Sequence, residues 1–250
     1  MSFDAIILVV AGLLVGSFIS VIAMRYPAMR GVVLGRSVCS QCGRQLAARD
    51  MVPVISWIMQ GGKCRYCRRP ISVMYPTLEI GALAVPLWAA TEVDGWLLWV
   101  SCALGWALLA LSAIDFRRYV LIDALTGPIA AGGLGVAFVL SPDLLLHHAI
   151  GVGAGFLTFA TVAAAYRRVR GREGLGLGDA KLLAAAGAWV SWWGLPTVVL
   201  IASSVGLAAI LASHWMSGKP LSAAARLPFG PWLALGLWIT WLYGPLELIH

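Results

Sequence analysis

Charge is what this sequence has least of. Of its 250 residues only 12% are Asp, Glu, Lys or Arg, about half the share of an ordinary soluble domain. A chain this poor in charge cannot keep 60% hydrophobic residues in water, and one core of this chain length could not bury them all. The shortage therefore excludes a soluble enzyme, a disordered chain and a fibrous protein. Other absences narrow the reading further. Nothing positive precedes the first apolar run, where Met1, Ser2, Phe3 and Asp4 stand, so that run is expected to stay as an anchor rather than be cleaved as a signal peptide. No strand followed by a glycine-rich turn and a helix occurs, which leaves no soluble nucleotide-binding fold. Neither an internal repeat nor a low-complexity linker is evident.

What is present points to a bilayer. Mean hydropathy is +0.87, and 28 Gly and 12 Pro suit membrane helices, which carry both more often than soluble ones. A span needs about 20 mostly apolar residues. Eight such runs stand between charged breaks, at about 5–24, 76–92, 95–114, 121–140, 147–166, 180–193, 196–214 and 231–248. The sixth is short and ends at Trp192, Trp193 and Gly194, before Pro196, with its indoles expected at the membrane interface. The predicted fold is an all-α polytopic membrane protein of about eight helices. Its expected parts are a first helix over 1–24, a four-cysteine domain over 25–75 and a seven-helix core over 76–250.

The few charges orient it. With the N-terminus outside, the inner connections near 25–75, 115–120, 167–181 and 215–230 hold nine, two, five and two basic residues, the whole complement of 18. The outer segments hold Asp4, Glu92, Asp94, Asp143 and Glu247 and no basic residue. Basic residues mark cytoplasmic loops, and Arg25 and Arg30 directly follow the first run. The net charge of +7 is thus a topology signal and an attraction to acidic lipid headgroups, with no nucleic-acid partner implied.

The 25–75 segment carries Cys39-Ser40-Gln41-Cys42 and Cys64-Arg65-Tyr66-Cys67, two Cys-x-x-Cys pairs 21 residues apart. Each turn can aim two thiolates at one ion, and four complete a tetrahedral Zn²⁺ site. Gly43, Gly61 and Gly62 supply permissive backbone beside the turns. Four thiols would also allow two disulfides, but nine basic residues place the segment in the reducing cytoplasm, which favours zinc. Metal would then hold together a segment with little apolar core of its own. Cys102, in the third run, reads as a small buried hydrophobe.

Two acids stand where spans meet the inner face. Asp115 closes the third run in Ile114-Asp115-Phe116-Arg117-Arg118, and Asp179 opens the sixth in Gly176-Leu177-Gly178-Asp179-Ala180-Lys181. Two crossings separate them, so both return to the same face and can meet. A carboxylate pair sharing one proton can work as base and acid together, which is what hydrolysis of a peptide by water requires. Glycines before Asp179 would let a peptide backbone approach closely. The plainer reading pairs Asp115 with Arg117 or Arg118, and Asp179 with Lys181 or a helix N-terminus. Another alternative is a transporter or proton relay using the same acids, although coupling acids usually lie near the bilayer midplane and these lie at span ends.

With these motifs in order, the sequence resembles the type IV prepilin peptidases, membrane aspartic proteases of the Gly-x-Gly-Asp class. The resemblance runs through Gly16-Ser17-Phe18-Ile19-Ser20-Val21 and Arg25-Tyr26-Pro27, then the cysteines flanking Asp50-Met51-Val52-Pro53-Val54-Ile55-Ser56-Trp57. It continues through Arg69-Pro70-Ile71-Ser72 with Tyr75-Pro76-Thr77-Leu78-Glu79, the two Asp motifs, and Leu227-Pro228-Phe229-Gly230-Pro231. It implies an intramembrane-type aspartic endopeptidase of the bacterial inner membrane. Such an enzyme removes the basic leader of prepilins, or of type II secretion pseudopilins, at the cytoplasmic face, with Asp115 and Asp179 as the catalytic pair and Cys39, Cys42, Cys64 and Cys67 on zinc. It also implies N-methylation of the new N-terminus with S-adenosylmethionine, for which Glu79 and Asp50 are acids within possible reach. Their simpler roles are a helix-start charge and a loop cap. The chain departs from the family at Leu121-Ile122-Asp123, where Leu-Pro-Asp is usual; Asp123 is expected to support the following helix.

Overall fold

The computed structural model of the chain describes residues 2–28, 37–171, 174–217 and 228–246. Arg30, Leu227 and Glu247 of the sequence reading lie outside the described residues. Among the described residues there are eight α-helices: α1 (Phe3–Arg25), α2 (Ile55–Met59), α3 (Met74–Ala89), α4 (Gly95–Arg118), α5 (Asp123–Leu140), α6 (Leu145–Arg170), α7 (Leu177–Ser217) and α8 (Gly230–Tyr243). Among the described residues the extended backbone pairs only at two isolated bridges, Val38–Gln45 and Lys63–Pro70. Five stretches of the described residues are long and apolar enough to cross a membrane: Phe3–Arg25, Gly95–Arg118, Asp123–Leu140, Pro142–Arg170 and Leu177–Met216. Helix α3, with 16 residues, and α8, with 14, are shorter.

The eight expected spans appear as α1, α3, α4, α5, α6, the two halves of α7, and α8. The break inside α7 falls at Ser191 (φ 60°, ψ 179°), while Pro196 lies within helix. Sequence reading put the break at Gly194–Pro196. Its actual place follows from packing: a side chain at Gly151 of α6 would stand 2.9 Å from both the Ser191 carbonyl carbon and the Trp192 nitrogen. The neighbouring backbone thus runs directly against the break. Trp192 and Trp193 stack at 3.7 Å beyond it, both exposed.

The chain divides into two compact units, Met1–Ile114 and Asp115–His250, with the boundary inside α4. In the first, α1 lies on α3 so closely that a Cβ at Gly12 would stand 2.6 Å from the Ala82 carbonyl oxygen, and one at Gly16 would stand 2.7 Å from Glu79 Cα. Small residues allow this approach, and close backbone packing is what drives helix association where no water is expelled. Trp106 of α4 donates its indole N–H to the same Ala82 carbonyl at 2.9 Å.

In the second unit the small residues again sit at the crossings. Gly151 meets Gly187 between α6 and α7, Gly155 meets Leu183, and Gly236 of α8 meets the Val198 carbonyl of α7. Trp189 of α7 fills the space over Gly133 of α5 and donates to the Ile129 carbonyl at 2.8 Å. In lipid an indole N–H needs such a partner. These crossings fix the end of α4 and the starts of α5, α7 and α8, where the acidic site is built.

Candidate functional sites: a four-thiol cluster and an aspartate pair

The cysteine segment is made of two copies of one turn. In the first, Cys39 N–H donates to Arg44 O and Gly43 N–H to Cys39 O, both at 2.9 Å, while Leu46 N–H reaches Ser37 O at 2.9 Å. In the second, 25 positions on, Cys64 N–H donates to Arg69 O and Arg68 N–H to Cys64 O, both at 2.9 Å, and Ile71 N–H reaches Gly62 O at 2.7 Å. The two bridges, Val38–Gln45 and Lys63–Pro70, keep the same offset. The segment is therefore a structural repeat, against the expectation of none. The sequence hides it because the residue after the second cysteine, left-handed in both copies, is Gly43 (φ 67°) in one and Arg68 (φ 59°) in the other.

The repeat brings the Sγ atoms of Cys39, Cys42, Cys64 and Cys67 within 4.8 Å of one another, and Cys39 Sγ lies 3.9 Å from Cys67 Sγ. Tetrahedral zinc with Zn–S bonds of about 2.3 Å separates its sulfurs by about 3.8 Å, so the four residues fit that ion. All four are free thiols. The Cys39 thiol is held down at about 6, first by the backbone N–H of Cys42 and then by that of Gln41. Amide donors aimed at a sulfur favour the thiolate, the form that binds metal.

Asp50 ties the copies together. Arg65 pairs with it at 2.7 Å and Tyr66 donates at 3.4 Å, while Asp50 also accepts the Ala47 N–H at 3.3 Å and so caps its own turn. Glu79, buried in α3, accepts the Val54 N–H at 2.7 Å. That bond holds Val54 at φ 60°, an unfavourable region for a β-branched residue. The loop cap suggested for Asp50 is what is observed. The link between Glu79 and Val54 was invisible in sequence, since 25 positions separate them.

The second constellation gathers four chain segments. Asp115, 5% exposed, lies one turn before the end of α4. Its Oδ2 accepts the N–H of Gly230, the first residue of α8, at 3.1 Å. A helix start offers unpaired N–H groups, and Pro231 fits next to it because the first turn needs no donor from that position. Phe116 meets Trp232 edge to face at 6.0 Å, fixing the α4 end against α8. Asp179 sits in the first turn of α7, where its N–H bonds to Gly176 O at 3.1 Å, and the charge of Asp115 reaches it. The two acids are thus within electrostatic reach of each other.

Leu121 is the spacer between these elements. A Cβ at Gly178 would stand 3.0 Å from Leu121 Cβ, and one at Gly230 would stand 2.9 Å from its Cδ2 and 2.7 Å from Asp115 Oδ2. Gly178 is therefore needed for packing against Leu121, and the open approach expected of both glycines belongs to Gly176, which is exposed. The plainer pairing of Asp179 with Lys181 is not what forms: Lys181 Nζ takes both oxygens of Asp123 at 2.7 Å. Asp123 stands at the first position of α5, with Ile122 extended before it, so the missing proline leaves the acid in place and in a supporting role. Gly230 and Leu121 were not foreseen; the Pro-Phe-Gly-Pro motif was the only trace of the former.

Comparison with known proteins bears on both sites. A family model described as the bacterial peptidase A24 N-terminal domain matches residues 10–93, and one described as the type IV leader peptidase family matches residues 102–211. The prepilin leader peptidase/N-methyltransferase of Aeromonas hydrophila is 35% identical over 93% of this chain and 88% of its own. Its namesake in Burkholderia pseudomallei (strain K96243) is 38% identical over 94% and 84%, and that of Dickeya chrysanthemi 37% identical over 91% and 88%. No solved structure matches. The transporter alternative gains no support from these relatives. With both models in chain order over the two constellations, and full-length relatives above 30% identity, this chain belongs to the type IV leader peptidase family.

Proposed function

We propose that this chain is a multi-pass membrane aspartic endopeptidase that removes the leader of type IV prepilins or pseudopilins, and that it also N-methylates the mature N-terminus. The observation that carries the peptidase reading is a buried carboxylate, Asp115, pinned by the Gly230 N–H within electrostatic reach of Asp179. The Gly230 N–H on Asp115 Oδ2 fixes the orientation of that carboxylate. One carboxylate takes the proton of the attacking water while the other supplies a proton to the carbonyl side. Gly176 offers no side chain to obstruct the peptide. The substrate's apolar helix lies in lipid beside the enzyme, and its basic leader stays on the cytoplasmic side with the positive loops.

The N-terminus then lies outside and the four-thiol domain in the cytoplasm of a bacterium, with Zn²⁺ held by Cys39, Cys42, Cys64 and Cys67. Zinc supplies folding energy to this segment and takes no part in the peptide chemistry. S-adenosylmethionine supplies the methyl group for the second activity. Incubating purified protein with a prepilin tests the peptidase reading: wild type removes the leader, and Asp115→Ala and Asp179→Ala each leave it attached. Full activity in either variant overturns the assignment.

A further inference from the structure

Exposed apolar side chains are expected on spans, but one group of them stands on the cysteine segment. Met51, Val52, Ile55, Ile58 and Met59 are 41% to 81% exposed. Between Ser37 and Val73 they share the chain with Arg44, Arg49, Lys63, Arg65, Arg68 and Arg69, against Asp50 as the sole acid. Trp57 of α2 turns the other way: a Cβ at Gly62 would stand 2.9 Å from its ring, and its N–H reaches the Ile71 carbonyl at 3.3 Å. The 51–59 loop thus has one face in its own domain and one apolar face turned out. Such a patch marks a contact with a membrane or with another protein.

Depth decides between the two. Glu79, which accepts the Val54 N–H at 2.7 Å, lies beside α1: a Cβ at Gly16 would stand 2.7 Å from Glu79 Cα, and the Ser17 side chain bonds the same carboxylate. Gly16 stands before Arg25, the end of α1, by about 13 Å along the helix axis. One leaflet of a hydrocarbon core is about 15 Å thick. With α1 as a span, Val54 is held level with acyl chains, even if the Glu79 side chain extends toward the surface. The loop backbone suits that place, since lipid offers no partner to a free N–H. Ser56 N–H bonds Val52 O, Ile58 N–H bonds Val54 O, Gln60 N–H bonds Ser56 O, Gly61 N–H bonds Ile58 O and Gly62 N–H bonds Trp57 O, all at 2.9–3.1 Å. Pro53 has no N–H to satisfy, and Glu79 answers the Val54 N–H that the start of α2 would leave open.

We propose that the 51–59 loop is an interfacial wedge in the near leaflet, the cytoplasmic one in the orientation given above, with Met51, Val52, Ile55, Ile58 and Met59 among lipid acyl chains. Apolar insertion of this kind reaches about 5–10 Å below the headgroups, and the basic residues of the segment favour an acidic membrane surface. The wedge requires that α1 be a span and is independent of the peptidase and methylation readings. Its consequence is that the cysteine turns are fixed at the membrane surface twice, through Glu79 by protein and through the loop by lipid.

Two measurements on full-length protein in nanodiscs of phosphatidylethanolamine and phosphatidylglycerol test this. Hydroxyl-radical footprinting needs no substitution, because cleavage after Arg49 and Lys63 yields one peptide, residues 50–63, that holds both methionines. Met51 and Met59 should oxidise about tenfold more slowly in the nanodisc than in that free peptide, as seating below the headgroups requires, although Met59 is 81% exposed on the chain itself. Oxidation at the free-peptide rate overturns the wedge. A benzophenone side chain placed at Ile58 or at Met59, activated by light and read by mass spectrometry, then identifies what covers the loop. Lipid adducts at both positions are expected. Adducts with a second copy of the chain or with a co-reconstituted prepilin in place of lipid overturn the proposal, and leave the peptidase and methylation readings standing.

Discussion

The two polar constellations of this chain are built in opposite ways. The thiol cluster is local: four ligands within 29 positions, each pair closed by the same backbone hydrogen bonds. The aspartate site is assembled from afar, for Asp115 takes its donor from Gly230, 115 positions on, and both depend on Leu121 as spacer. A local site survives changes elsewhere and fails when its own ligands go. A site assembled by helix packing fails when any crossing shifts, even with its acids intact.

That contrast can be broken or sharpened by substitution. The largest effect is expected from Cys39→Ser combined with Cys64→Ser, which should take bound metal from about one ion per chain to none, read by elemental analysis of protein purified under reducing conditions, with a marked fall in melting temperature. Next, Gly230→Ala places a methyl group 2.7 Å from Asp115 Oδ2 and should reduce leader cleavage by about 100-fold with full zinc content. Cleavage near wild-type rate would show that the packing around Asp115 is looser than described. Within the thiol repeat, Gly43→Ala should weaken the metal-bound form by about 1 kcal/mol, and Arg68→Gly should strengthen it by less, measured as opposite shifts in a chelator competition midpoint. Equal shifts of one sign would deny the equivalence of the two left-handed positions. Smallest of all, Lys181→Ala removes an exposed ion pair with Asp123. Such pairs contribute about 0–1 kcal/mol, so cleavage should stay within about fivefold of wild type.

The sequence disclosed these sites unequally, for physical reasons. Cysteine spacing specifies a metal site almost by itself, because the turn geometry is fixed by four residues. The repeat around it stayed hidden since hydrogen bonds of the backbone leave no mark on residue identity, and the left-handed position after the second cysteine is glycine in only one copy. The aspartates could be placed on one face by counting crossings. Their partner Gly230 could not, because nothing local to Asp115 announces a donor from α8. Likewise Pro196 advertised a helix break that tertiary packing at Gly151 moved to Ser191. The buried Glu79 read as an ordinary helix-start charge until Val54 was seen folded back on it.

The central claim is that Asp115 and Asp179 act together on the leader peptide. Asp115→Asn and Asp179→Asn keep the size of each side chain and remove its acid–base function. Mass spectrometry of a prepilin co-expressed with each variant reads leader removal and methylation in one spectrum. The account predicts full-length, unmethylated prepilin in both cases and cleaved, methylated pilin with wild type. Mature pilin in the presence of either variant would contradict it.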